Sequence, residues 1–185
     1  MVLSFAVFIS AQTEPSKNFP NIKIKNFGQM DERYYRGAQP KEDDYPALKA
    51  LGIDTVIDLR NDPKDYEKDA VEALGMKYVN IPLSGVSYPK AESIEKFLKI
   101  VNDPATGTFF VHCKAGKHRA GIAGAVYRFT KYGWSYEQAY QEMKNYKFST
   151  WMFHGNMKDF VKDYAEKMEA EKVSLSFIPN IAEVH

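Results

Sequence analysis

Between residues 53 and 131, short apolar runs alternate with helical stretches, and that alternation leaves few folds open to the chain. The runs are Ile53–Leu59 (IDTVIDL), Met76–Ile81 and Thr108–His112 (TFFVH). Between and after them lie segments with helical punctuation. One opens at Asp62-Pro63 and reaches Leu74 before Gly75; Glu92–Val101 carries Ile94, Phe97, Leu98 and Val101 at i, i+3, i+4, i+7; Arg119–Lys131 follows. Ahead of them, Lys41–Ala50 follows Pro40 with Tyr45, Leu48 and Leu51 at helical spacing and ends at Gly52. Tyr136–Tyr146 and Met157–Lys172 also read as helices. Parallel strands need a crossover, and helices of this length supply it while covering both faces of the sheet. The expectation is an α/β fold with a small, mostly parallel central sheet flanked by helices. Ile22–Lys25 alternates like a further strand, with Glu32–Gly37 as its neighbour. Ligands of such sheets sit beyond the carboxyl ends of the strands.

The ends divide off from this body. Val2–Ile9 (VLSFAVFI) is apolar, far short of the roughly 20 residues that cross a bilayer. Ser10-Ala11 and a polar, proline-containing stretch follow it, as after the h-region of a secretory signal. Residues 1–20 are therefore read as a signal remnant and linker, 21–172 as the working domain and 173–185 as a tail. The signal reading implies a periplasmic or secreted protein. An edge strand packed on the domain is the alternative, and would leave the protein cytoplasmic. No transmembrane segment is expected, and the oligomeric state stays open.

Charge excludes some functions. The 185 residues carry 25 Lys and Arg against 24 Asp and Glu, a net +1, unlike a strongly basic nucleic-acid binder. One cysteine permits neither an internal disulfide nor a cysteine-based zinc site, and the four histidines lack metal-enzyme spacing. No metal or cofactor is expected.

The third run leads straight into His112-Cys113-Lys114-Ala115-Gly116-Lys117-His118-Arg119, where a helix begins. A strand-to-helix loop aims successive amide N–H groups into one concavity, and the helix dipole adds positive potential there. A cysteine at its mouth is expected to be ionised in the roughly 3.5–7.5 range of activated thiols. An arginine six positions on can fold back and grip two oxygens of a tetrahedral dianion, and Gly116 permits a left-handed turn or close backbone approach. These parts suit attack of sulfur on a phosphomonoester, with a phosphocysteine that water hydrolyses.

HC-x5-R between a strand and a helix resembles the signature loop of the protein-tyrosine-phosphatase superfamily. HCKAGK at His112–Lys117 is similar to the loop of phosphatases that remove the 3-phosphate of phosphoinositides. GKHR at Gly116–Arg119 and YRGAQP at Tyr35–Pro40 resemble the plant and fungal atypical dual-specificity phosphatases that act on inositol pyrophosphates. Asp58-Leu59-Arg60, followed by Asp62, resembles a segment of the cysteine-dependent phytases. The resemblance implies Cys113 as nucleophile, Arg119 as oxyanion clamp and His112 tuning the thiolate. Lys114, Ala115, Gly116, Lys117 and His118 supply backbone donors to the substrate. Lys114, Lys117 and His118 would add positive charge that suits a ring bearing several phosphates better than one phosphotyrosine. Arg60 either binds substrate or braces the loop, and His154 either borders the pocket or is structural.

Two departures matter. The position after the arginine, Ser or Thr in the family, is Ala120. The loop Pro82–Pro89, where relatives keep a general-acid Asp, has no carboxylate and carries Gly85 there. A missing acid is worth about 10²–10⁴ in rate, so Asp62 or Asp65 is expected to substitute, Asp62 preferred, unless Asp62 only caps the Pro63 helix. The preferred substrate is a small anionic phosphorylated molecule, an inositol polyphosphate of phytate type. A tyrosine, dual-specificity or phosphoinositide phosphatase and a non-catalytic phosphate-binding module are the alternatives.

Overall fold

The computed structural model describes residues 19–151 and 154–176. The apolar segment at 2–9 lies outside the described residues, as does 177–185 of the tail. Five strands form one sheet: β1 (Gly28–Gln29), β2 (Tyr34–Ala38), β3 (Thr55–Asp58), β4 (Lys77–Asn80) and β5 (Phe109–Cys113), in the order β1-β2-β5-β3-β4. Only β1 runs antiparallel, against β2; the β2–β5, β5–β3 and β3–β4 pairs are parallel. Helices α1 (Tyr45–Ala50), α2 (Glu67–Glu72), α3 (Ala91–Asn102), α4 (Arg119–Tyr132), α5 (Tyr136–Asn145) and α6 (Gly155–Ser176) surround it. No helix among the described residues is long and apolar enough to cross a membrane.

Two expected elements differ. Ile22–Lys25 joins no strand ladder; Ile24 packs against Tyr35 and Phe110, and the Ala38 amide donates to the Lys25 carbonyl at 2.9 Å. Asn26 then takes φ +55° and turns the chain, so the edge strand is β1 instead. The helix expected from Asp62-Pro63 begins only at Glu67. Arg60 holds the Asp62 carboxylate, which therefore caps no helix.

Strand β5 is the axis of the molecule, buried along its whole length with a parallel neighbour on each side. Side chains alternate across it. Phe109, Val111 and Cys113 pack with Tyr34, Ile57, Leu59, Phe97 and Tyr127, the layer formed with α3 and α4. Phe110 packs on the other face with Val56, Tyr45, Leu48 and Val71, and His112 stacks on Phe110 with centroids 5.6 Å apart. Neighbours in sequence, His112 and Cys113 thus work on opposite faces of the sheet. A third apolar cluster joins α4, α5 and α6 through Ile122, Val126, Phe129, Met143 and Phe160. Eleven consecutive residues at the start of α4, from Arg119 to Phe129, are buried, and the run of alanines and glycines lets the sheet and α5 approach closely. The helix after the signature loop is therefore clamped from several sides.

Phe110 fills the layer beneath His112 with no exposed surface. Phe110→Ala is expected to lower unfolding free energy by about 3–5 kcal/mol, measured by urea denaturation of folded variant and parent.

Candidate active site

The loop between β5 and α4 lies beyond the carboxyl ends of the parallel strands. Its centre is fixed by one glycine. Gly116 has φ +66°, and a Cβ there would meet the Gly37 carbonyl carbon at 2.5 Å and the Ala38 nitrogen at 2.7 Å. Backbone cannot yield as a flexible side chain would, so this position requires glycine for both reasons. The Gln39 amide donates to the Lys114 carbonyl at 3.4 Å, a second tie between the loop and the end of β2.

Cys113 closes β5, 3% exposed, in one apolar cluster with Leu59, Leu83 and Ala120. Arg119 opens α4 and is nearly as buried. Its Nη1 donates to Asn61 Oδ1 at 3.1 Å and to the Leu83 carbonyl at 3.4 Å, so the loops after β3 and β4 both hold the guanidinium. Sequence reasoning missed Asn61, because a lone amide beside Arg60 carries no motif. Ala120 is fully buried, and no hydroxyl stands after the arginine.

Behind the loop, on the far face of the sheet, His112, Glu67 and Asp58 are completely buried together. His112 Nε2 lies 2.7 Å from Glu67 Oε1 and 3.8 Å from Asp58 Oδ1. Glu67 also accepts from Tyr45 Oη and Gln39 Nε2, each at 2.8 Å. Asp58 accepts from the Arg60 amide at 2.8 Å and Tyr78 Oη at 3.1 Å. Burial pushes both carboxyls upward. In Glu67 the hydrogen bond and charge of His112, with Gln39 and Tyr45, outweigh it and hold the carboxyl below its ordinary value. In Asp58 burial prevails over the imidazole, and its value is raised. The three ligand-type atoms lie within 4.8 Å of one another, as metal ligands would; both carboxylates are also held by neighbouring donors, while His112 Nδ1 has no hydrogen-bond partner. Glu67 escaped the sequence reading because it sits at the start of α2, 45 positions before His112, in a polar stretch whose other acids are exposed.

Arg60 is buried and braced. Its Nη1 donates to Gln39 Oε1 at 2.6 Å, and its Nη2 and Nε donate to the Asp62 carboxylate at 2.8 and 3.2 Å. The Arg60 hydrogen bond and charge, aided by Arg119, hold the exposed Asp62 carboxyl below its ordinary value. Asp65 lies exposed in the turn before α2. In the loop after β4, Ser84 Oγ accepts the amides of Val86 and Ser87, and Gly85 faces open space.

At the rim, Lys114 and Ala115 are exposed and Lys117 is half-buried; neither lysine forms an ion pair with any described residue. His118 differs. Its ring stacks on His154 with centroids 3.6 Å apart and packs edge-on against Phe148, and its Nε2 lies 3.1 Å from the Ser149 carbonyl. Burial and then the neighbouring His154 push its pKa down to about 4. His118 is thus neutral near pH 7, so of the two or three cations expected at the mouth the lysines Lys114 and Lys117 carry the charge.

A family model described as "PTP-NADK: DSP-PTPase phosphatase fused to NAD+ Kinase" matches residues 15–163. The dual specificity protein phosphatase TpbA of Pseudomonas aeruginosa UCBPP-PA14 is 26% identical over 119 residues, 64% of this chain and 53% of that protein. Inositol diphosphatase DSP1 of rice is 26% identical over 113 residues, 58% of this chain and 51% of that protein. The chain thus spans about half the length of these curated relatives. Among solved structures, the core catalytic domain of the PP-IP phosphatase SIW14 from S. cerevisiae superposes with TM-score 0.68 at 22% identity, covering 85% of this chain and 97% of that one. That likeness bears out the expected α/β architecture.

Unfolding returns His118 to its ordinary value of 6.5, so between pH 6.5 and about 4 the unfolded chain binds a proton that the folded chain refuses. Stability is expected to fall as pH drops through that window, and His118→Gln to flatten the dependence in thermal melts. Glu67→Gln removes the buried charge facing His112 and is expected to cost roughly 1–3 kcal/mol, read by denaturant titration.

Proposed function

The chain belongs to the DSP-PTPase phosphatase family, and from that premise we propose that it hydrolyses phosphates of small polyphosphorylated inositols through a phosphocysteine. The observation that carries the reading is Cys113 at the end of the central strand, followed by a glycine-pinned loop and Arg119 at the first turn of a clamped helix. In the first step Cys113 Sγ attacks phosphorus, the bond to the bridging oxygen breaks and that oxygen takes the electron pair. Arg119 and the amides of residues 114–118 hold the equatorial oxygens, where preorganised donors act most strongly. In the second step water attacks phosphorus, the S–P bond breaks, and phosphate and thiolate are released. His112, held by Glu67 and Asp58, sets the potential behind the thiolate.

The leaving group refines the substrate class. With no carboxylate in the loop after β4, and Asp62 kept ionised by Arg60, neither is well placed to protonate an alkoxide. An ionised Asp62 suits the second step, accepting a proton from water. A diphosphate on the ring needs no such acid in the first step, because the departing group is itself a phosphate with a second pKa of about 6. Unpaired Lys114 and Lys117 offer partners for neighbouring phosphates. The rice relative named an inositol diphosphatase and the yeast PP-IP phosphatase structure support this reading. A tyrosine or dual-specificity activity is the second reading, favoured by the TpbA relative. The apolar segment at 2–9, as a secretory signal, would place the activity outside the cytoplasm.

Initial rates on a diphosphorylated inositol, inositol hexakisphosphate and a phosphotyrosine peptide test the order. The diphosphate is expected fastest; faster peptide turnover would overturn the preference. Cys113→Ser is expected to lower kcat at least about 10³-fold. Phosphate binding with no turnover in the parent would instead indicate a binding module. Asp62→Asn is expected to slow hydrolysis of the accumulated phosphoenzyme and spare its formation from the diphosphate, followed by quench-flow.

A further inference from the structure

Among the described residues Arg36 is the largest side chain with no exposed surface, and it lies directly beneath the signature loop. It forms no ion pair with any described residue, and its Nε has no hydrogen-bond partner. A buried guanidinium without a carboxylate is costly to keep. Its contacts show where that charge is directed. Nη2 donates to the Gly116 carbonyl at 2.8 Å, and the guanidinium carbon stands 4.1 Å above the Tyr146 ring, a cation–π contact. Asn26 Nδ2 reaches the same Gly116 carbonyl at 2.8 Å and the Tyr146 carbonyl at 2.9 Å. The Lys114 carbonyl is held from the same side by the Gln39 amide.

Peptide geometry turns these anchors into a consequence. Across a trans peptide the C=O and the next N–H point in opposite directions, and the chain contains no cis bond among its described residues. Carbonyls of Lys114 and Gly116 drawn toward β2 therefore turn the N–H groups of Ala115 and Lys117 away from it, into the concavity of the loop. We propose that Arg36 is a positioning residue of the phosphate site: it fixes the Gly116 peptide so that the Lys117 N–H faces the bound oxyanion. Its uncompensated charge also lies beneath the loop as a fixed counter-charge to the thiolate and the phosphate. This rests on the phosphocysteine reading above. The anion itself completes the electrostatic balance, so the empty loop holds a positive potential ready for it. Sequence patterning hid this residue, since an arginine within a strand reads as an exposed edge position.

The test compares the parent with Arg36→Met, Arg36→Lys and Asn26→Ala. Each is followed by circular dichroism, by the pH dependence of Cys113 alkylation with iodoacetamide, and by competitive inhibition with inorganic phosphate. In Arg36→Met the midpoint of the alkylation curve is expected to move up by about one pH unit, and inhibition by phosphate to weaken about tenfold. Arg36→Lys, which keeps the charge, is expected to recover most of the alkylation midpoint but not the phosphate affinity. A folded Arg36→Met with both readouts unchanged overturns the proposal. Should Arg36→Met fail to fold, the other two variants decide: weaker phosphate inhibition in either supports it, and parental values in both overturn it. A parent whose Cys113 alkylates as an ordinary thiol, and whose Cys113→Ser variant keeps its turnover, overturns the phosphocysteine reading and this proposal with it. A reactive parent thiol beside unchanged variants removes the role of Arg36 alone.

Discussion

The contact between Gly116 and the backbone at the end of β2 is the constraint on which the rest of the site depends. Parallel pairing puts Ala38 opposite Cys113 in register, so the chain leaving β5 must pass over the peptide joining Gly37 to Ala38. The space left there is smaller than a methyl group. Only a loop that dips toward β2 at that point and rises again can reach the start of α4, and such a path draws its carbonyls back and its amides forward. The path of the loop is thus a result of strand register as much as of loop sequence.

The same register orders the surroundings. With β3 paired to the other side of β5, Asp58 stands opposite His112, and the loops after β3 and β4 come forward beside Arg119. Gln39, just past β2, joins Arg60 to Glu67 across the sheet edge. Asp58, Asn61, Gln39 and Glu67 each leave the carboxyl end of a parallel strand or the first turn of a helix. The fold supplies that convergence before any catalytic residue is specified.

Much of this was legible in the sequence, and the misses have physical causes. The alternation of strands and helices announced the parallel sheet, and Cys113, Arg119 and Gly116 were readable because a strand, a loop and a helix agreed around them. Ile22–Lys25 alternates as a strand should, but pairing needs a partner in register and Asn26 turns the chain before one is met. Asp62 before Pro63 carries a helix-start signal, overridden because the Arg60 guanidinium, two residues back, takes both oxygens of the carboxylate. Glu67, Asn61 and Arg36 could not be found locally, since their partners lie 45, 58 and 80 positions away. The charge of His118 could not be read from its residue type; burial, and then His154 across 36 positions, push its pKa down.

The alternation of β5 has one more consequence. Since Cys113 points to the α4 layer and His112 to the layer beneath, the cysteine and the buried acids lie on opposite faces of the sheet, linked through the shared main chain and through the Glu67–Gln39–Arg60–Asp62 hydrogen bonds. A change confined to Lys114 or Lys117 at the rim leaves that chain of hydrogen bonds untouched, whereas a change at Asp62 reaches the acids below through it. The two faces are thus coupled at the sheet edge where Gln39 meets Arg60.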